Sequence, residues 1–588
     1  MTPFRAARAH HHAMGRLPLL CVFALGPALA LPALAAGSLS LTPLGADGAP
    51  AVTVVDGNPL RLRAALDQPA PRTLSITFGL DDGRTLATCT VPRAARGCTT
   101  APLSTLDWFW SGAGDAQPQR RLWAEAGGER AAASLAVTPR PVVLVHGFMS
   151  DHGTWAAYTA ADGFLSRAGL HGWAVGDGQA EGSLDTGALS RLRSATKTLP
   201  ENATALQRYI AGVKRRTGAQ LVDVVAHSMG GLVARYYVAR LMGGRDVAQL
   251  VMLGSPHGGS DCSALATTLG VLGPAALELR PSYVRDIFNR GITRRHGVPF
   301  HLLAGDAIAE GFRAPCSDVP SDSVVSVASA SAIPGDVMRL PVLHTDMTAS
   351  AEVFHRRVLP LLRRGATQAA DDAEAFMGDD APAAQFAQVA SGHVEAGSRV
   401  EVEVQLDDVA VAAFALFDPS RELEITVRGA SGRTIALTAR EHGLVKVDDP
   451  ASLLTLGYGF ANPRPGPWRV TLFAPRQATD YALSARVAGG AVLRAEASPA
   501  SAARGQAVQL GAELRHPAHT LQAVAMYALV RQPDGSTLTL EMQGEGERRG
   551  VAWRATQPGL HGVDIVARAR AGDLPLERHA FLAVEVRP

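Results

Sequence analysis

Residues 222–237 read VDVVAHSMGGLVARYY, and the turn inside this stretch decides how the chain folds. Leu221, Val222, Val224 and Val225 make a nearly unbroken apolar run, the pattern of a strand buried on both faces of a parallel sheet. Leu232, Val233, Tyr236, Tyr237, Arg240 and Leu241 then recur at helical spacing. Between strand and helix stands Ser228, with Ala226, Gly230 and Gly231 around it. Small residues on both sides let the backbone fold back tightly, which places the serine at the tip of a strained strand-to-helix turn. A serine presented in this way is a candidate nucleophile. It requires a base, an acid and oxyanion donors from elsewhere in the chain.

Upstream, PVVLVHGF (141–148) is a second buried strand that ends in a glycine where the chain must turn away. A backbone N–H just after that glycine is a candidate oxyanion donor, Phe148 first and Met149 second, and the N–H of Met229 is the other. Backbone donors suit the task because they are fixed before charge develops on the carbonyl oxygen. Downstream come LVMLGSPHGGSD (250–261), a strand that opens into a small-residue loop, and PFHLLAGD (299–306), a further strand. VPSDSVVSVASA (319–330) supplies Asp322, and LPVLHTDM (340–347) supplies His344, in the chain order serine, acid, histidine. Asp306 and Asp318 compete with Asp322 as the acid. His257 competes as the base, although it precedes every candidate acid, and His227 is expected to point away from the hydroxyl of its neighbour.

With these motifs in place, AHSMGG (226–231), LVHGF (144–148) and SPHGGS (255–260) resemble the secreted bacterial lipases and esterases of the α/β-hydrolase fold, with alanine in place of the first glycine of G-x-S-x-G. The resemblance covers residues 139–364. It implies a catalytic triad of Ser228, Asp322 and His344, with oxyanion N–H groups at Phe148 and Met229, acting on lipid esters in the manner of a triacylglycerol lipase and needing no cofactor. It also implies a structural calcium for which Asp346, two positions past the histidine, matches one ligand position; the sequence does not place the other ligands. Residues 262–290 lie where such lipases carry a cap. The apolar Leu265, Leu269, Val271 and Leu272 are expected to cover the acyl pocket, the alternative being a plain buried helix. A carboxylesterase, a phospholipase or transacylase, and an inactive surface-binding protein are the competing readings.

The rest of the chain sets the context. At 588 residues it is too long for one core, and with 47% hydrophobic residues, 19% charged residues and a net charge of +2 it fits neither a disordered chain nor a nucleic-acid binder. Arg5, Arg8 and Arg16 precede the apolar run LPLLCVFALGPALALPALAA, which closes on Ala33-Leu34-Ala35, so residues 1–35 read as a signal peptide for the periplasm or the exterior. No later stretch is apolar enough to span a membrane. In an exported chain, Cys89 and Cys98 are expected to pair across a hairpin turn, which leaves Cys262 to pair with Cys316.

Residues 37–138 alternate in short runs between glycine and proline turns and predict a β-sandwich. Residues 139–364 alternate strand and helix and predict a mostly parallel sheet with flanking helices. An acidic linker at 365–385 and two further β-sandwiches at 386–489 and 490–588 complete the expected layout. The accessory modules are expected to bind a surface or a polymer.

Overall fold

The structure, a computed structural model, describes residues 38–188, 194–268, 273–308, 317, 320–364, 384–437, 445–447 and 456–588. The expected signal peptide, Leu269, Val271, Leu272, Cys316, Asp318 and nearly all of the acidic linker lie outside the described residues. Among the described residues no helix is long and apolar enough to cross a membrane.

The central layer is a six-stranded sheet made of β1 (Val142–Val145), β2 (Gly172–Ala174), β3 (Val222–His227), β4 (Val247–Leu253), β5 (Phe300–Gly305) and β6 (Asp336–Leu340). The spatial order is β2-β1-β3-β4-β5-β6, and every neighbouring pair runs parallel. β3 and β4 are buried along their whole length, which explains their unbroken apolar sequence. Helix α1 (Leu199–Thr217) begins with a capping box: Thr198 accepts from the N–H of Glu201, and the Glu201 carboxylate accepts from the N–H of Thr198. It lays Leu206, Tyr209, Ile210 and Val213 into the core cluster that also holds Val222 and Val224 of β3. Helix α2 (Met229–Tyr236) follows β3 directly. All the strands point the same way, so the segments leaving β1, β3, β4, β5 and β6 gather at one edge, where α/β sheets bind ligands.

Before this sheet, residues Leu39–Thr138 form a four-stranded and a five-stranded sheet around Leu62, Ile76, Phe78, Trp108 and Leu122. A disulfide joins Cys89 to Cys98 here. Cys262 is also disulfide-bonded, although its expected partner is not described. The N-terminal module is fixed to the central sheet by buried Arg140, which bonds Asp56 on one side and lies 3.2 Å from Asp223 of β3 on the other.

The two C-terminal modules are joined by a shared sheet. Strands β7 (Gln385–Val394), β8 (Val409–Phe417), β9 (Thr479–Gly489) and β10 (Leu574–Arg587) belong to one ten-stranded sheet that runs through both expected modules. The join is the pairing of Phe386 in β7 with His579 in β10. Each module closes its own core with a smaller sheet, four-stranded in the first and three-stranded in the second. Gln385, expected at the end of the linker, is already in β7: its side chain bonds the backbone of Leu493 in both directions and so draws the strand start one residue earlier.

Candidate active site

Ser228 follows the last residue of β3 and caps α2 with φ 55° and ψ −129°, a backbone conformation that side-chain-bearing residues rarely adopt. The neighbouring small residues make room for it. A Cβ on Gly230 would stand 2.6 Å from the carbonyl oxygens of Val145 and His146, and one on Gly231 would stand 2.0 Å from the Ser255 hydroxyl. Gly147 is constrained from the opposite side, because a Cβ there would meet the Ser228 Cβ at 2.7 Å. The turn after β1 and the turn after β3 are therefore pressed together. Met149 and Ser323 also have positive φ, 54° and 89°, so backbone strain gathers in three of the segments at this edge.

Asp322 and His344 are both buried, and the Asp322 Oδ2 lies 2.7 Å from His344 Nδ1. The other carboxylate oxygen, Oδ1, accepts the N–H groups of Val324 at 3.0 Å and Val325 at 2.7 Å. The Asp322 carbonyl accepts the His344 N–H at 2.9 Å, so the two residues are tied through backbone and side chain alike. Gly254, at the end of β4 with φ 56°, makes room for this pair: a Cβ there would fall 2.9 Å from Asp322 Oδ2 and 3.1 Å from His344 Nδ1. Asp306 uses its N–H on Leu340, and the carboxylate facing the imidazole is that of Asp322.

The other histidines are placed differently. His257 is buried with Nδ1 3.3 Å from the Arg235 guanidinium; burial, and then that cation, hold its pKa well below the usual range. His146 is pushed down to about 4, chiefly by burial. His227 packs its ring 4.6 Å from that of His344, and its Nε2 lies 2.9 Å from the His344 carbonyl oxygen. Burial, followed by the nearness of His344, lowers its pKa to about 3. Sequence reasoning set His227 aside and passed over Gly254. The available signals were a ring-bearing residue directly before the serine and a glycine directly after an apolar strand.

The expected backbone donors lie on the turns after β1 and β3. Met149 donates its N–H to the Thr186 carbonyl at 3.1 Å, which commits it elsewhere. Met229 is the first residue of α2, where helix geometry leaves an N–H with no intrahelical acceptor. Phe148 is half-buried and joins two apolar clusters. One of these holds Met149, Val324, Cys262 and Ala266 together with Ala415 and Phe417 of β8 and Ala482 of β9, so the C-terminal region packs directly onto the segments around the site. Of the expected cap, helix α3 (Ser263–Thr268) is described and packs against β7 and β9; the side chain of Leu265 is not described.

Asp346 is exposed, in a short 3-10 turn, and stands in no group of three close His, Cys, Asp or Glu ligand atoms among the described residues. Asp408, His516 and His519 do form such a group, at the junction of the C-terminal modules. There, His516 Nδ1 accepts the N–H groups of Ala518 and His519, so its proton sits on Nε2 and neither nitrogen is free to ligate.

Residues 141–287 match the palmitoyl protein thioesterase family. Among solved structures, the propeptide form of lipase BlEst2 from Bacillus licheniformis is similar over 76% of this chain and 94% of its own, at 14% identity and a TM-score of 0.51. The mature form of that lipase covers 38% of this chain and 91% of its own at 16% identity and a TM-score of 0.30. A bacterial membrane phospholipase A covers 42% and 84% at 16% identity and a TM-score of 0.23.

Proposed function

We propose that this chain, whose central domain is an α/β-hydrolase of the lipase and esterase group, cleaves carboxylic esters of lipids through Ser228, His344 and Asp322. The observation that carries the reading is the 2.7 Å pair of Asp322 and His344, held at the same sheet edge as a strained serine. Asp322 accepts from His344 Nδ1 and leaves Nε2 as the base. His344 takes the Ser228 proton as the hydroxyl attacks the ester carbonyl. The N–H groups of Phe148 and Met229 hold the oxyanion, Phe148 being favoured because the N–H of Met149 is committed to Thr186. The alcohol leaves with the proton from His344, and water then releases the acid from Ser228. Export across the inner membrane is part of the proposal and rests on residues 1–35.

The match to thioesterases favours a second substrate, an acyl thioester, which the same residues would cleave. Short-chain and long-chain esters, assayed beside S-acyl substrates on wild type and Ser228→Ala, test both. Ser228→Ala is expected to lose about 10⁶-fold in turnover and all labelling by a fluorophosphonate. Ester hydrolysis that survives this substitution overturns the reading, and a preference for S-acyl substrates selects the second one.

A further inference from the structure

We infer that His227, through its hydrogen bond to the His344 carbonyl, is a positioning residue that holds the base over the nucleophile turn; this rests on the roles proposed for Ser228, Asp322 and His344. Residues 341–343 leave β6 exposed or half-buried, with Val342 against the apolar core. Asp322 orients the imidazole and takes the His344 N–H, but both of those bonds lie on the acid's side of the residue. The carbonyl end of His344 is held by His227 Nε2 at 2.9 Å.

The acceptor is a carbonyl, so Nε2 of His227 must carry the proton, which fixes one neutral tautomer. Burial keeps the ring in that form, and its face lies 4.6 Å from the His344 ring at an interplanar angle of 44°. His227 is also the chain neighbour of Ser228. A single hydrogen bond therefore joins the end of the strand that presents the nucleophile to a loop 117 residues later that presents the base. When His344 becomes an imidazolium, the ring beside it is neutral and does not repel it.

The test uses the full-length chain with two near-isosteric replacements, His227→Gln, which keeps an N–H donor at similar reach, and His227→Met, which has none. Steady-state kinetics on a soluble short-chain ester are read beside thermal unfolding. His227→Met is expected to lose about 10²-fold in kcat, the cost of a small misplacement of a catalytic group, with KM changed less than about twofold. His227→Gln is expected to stay within about tenfold of wild type. The inference is overturned if a folded His227→Met keeps kcat within about threefold of wild type, or if His227→Gln is no better than His227→Met at equal melting temperature. Should His227→Met not fold, a loss of about 10²-fold in folded His227→Gln overturns it just as well. Ser228→Ala in the same assay separates the two failures. Activity there breaks the reading of the site, whereas an inactive Ser228→Ala beside a fully active His227→Met breaks only the positioning role.

Discussion

The turn at Ser228 is packed so closely that Gly147, Gly230 and Gly231 have no room for a Cβ. Gly230 lies against the carbonyl oxygens of Val145 and His146, which belong to the strand end and cannot swing aside. Gly230→Ala is expected to destabilise the fold by about 1–3 kcal/mol and to cost activity beyond that loss, measured by denaturant unfolding and ester hydrolysis. The buried histidines give a second residue-scale consequence. His146 and His227 have folded pKa values of about 4 and about 3, below the ordinary histidine value, so the folded protein refuses protons that the unfolded chain accepts. Their contribution to stability is full above about pH 6.5 and is lost as pH falls from there toward the folded values. Each such site adds a slope of about 1.4 kcal/mol per pH unit. Between pH 6 and pH 4.5, His227→Gln is expected to show a slope shallower than wild type by about that amount, and equal slopes would remove His227 from this account.

At the scale of the element, the edge of the parallel sheet does the assembling. β1, β3, β4, β5 and β6 share one direction, so His146, Ser228, Gly254, Asp322 and His344 all follow strand ends at the same side. Helix α1 shows how local chemistry sets a boundary before any packing: Thr198 and Glu201 satisfy each other's backbone N–H groups, and Gly218, with φ 70°, ends the helix. Thr198→Ala is expected to cost about 1 kcal/mol, read as a shift of the urea midpoint at unchanged slope. The short α3 is a different case. It follows SPHGGS in the sequence and packs on the helical turn at Pro274–Leu277, yet it packs as much on β7 and β9, more than a hundred residues later.

At the scale of the molecule, the C-terminal modules are part of one body with the hydrolase. Arg280 is buried between them: it donates to Thr267 and to the Leu582 carbonyl, and its Nη2 lies 2.8 Å from Asp564 Oδ1, close enough to pair although not in hydrogen-bond alignment. Asp564→Ala leaves that guanidinium without its counter-charge and is expected to cost about 3–5 kcal/mol, with thermal unfolding of the whole chain as the measurement. The amino-acid sequence by itself determined the strand-turn-helix at Ser228, the central parallel sheet, the Cys89–Cys98 link and the β-rich flanks, because apolar period, glycine position and turn residues are local signals. It also named Asp322 and His344, through their chain order and their places after late strands. Tertiary structure alone decided that Asp322 and not Asp306 faces the imidazole, that His227 holds the carbonyl of His344, and that the last two modules share a sheet and pack, through Ala415, Phe417 and Ala482, near Phe148 and Met149. Those choices depend on which distant backbones come within hydrogen-bond reach, and no period along a single chain encodes that distance.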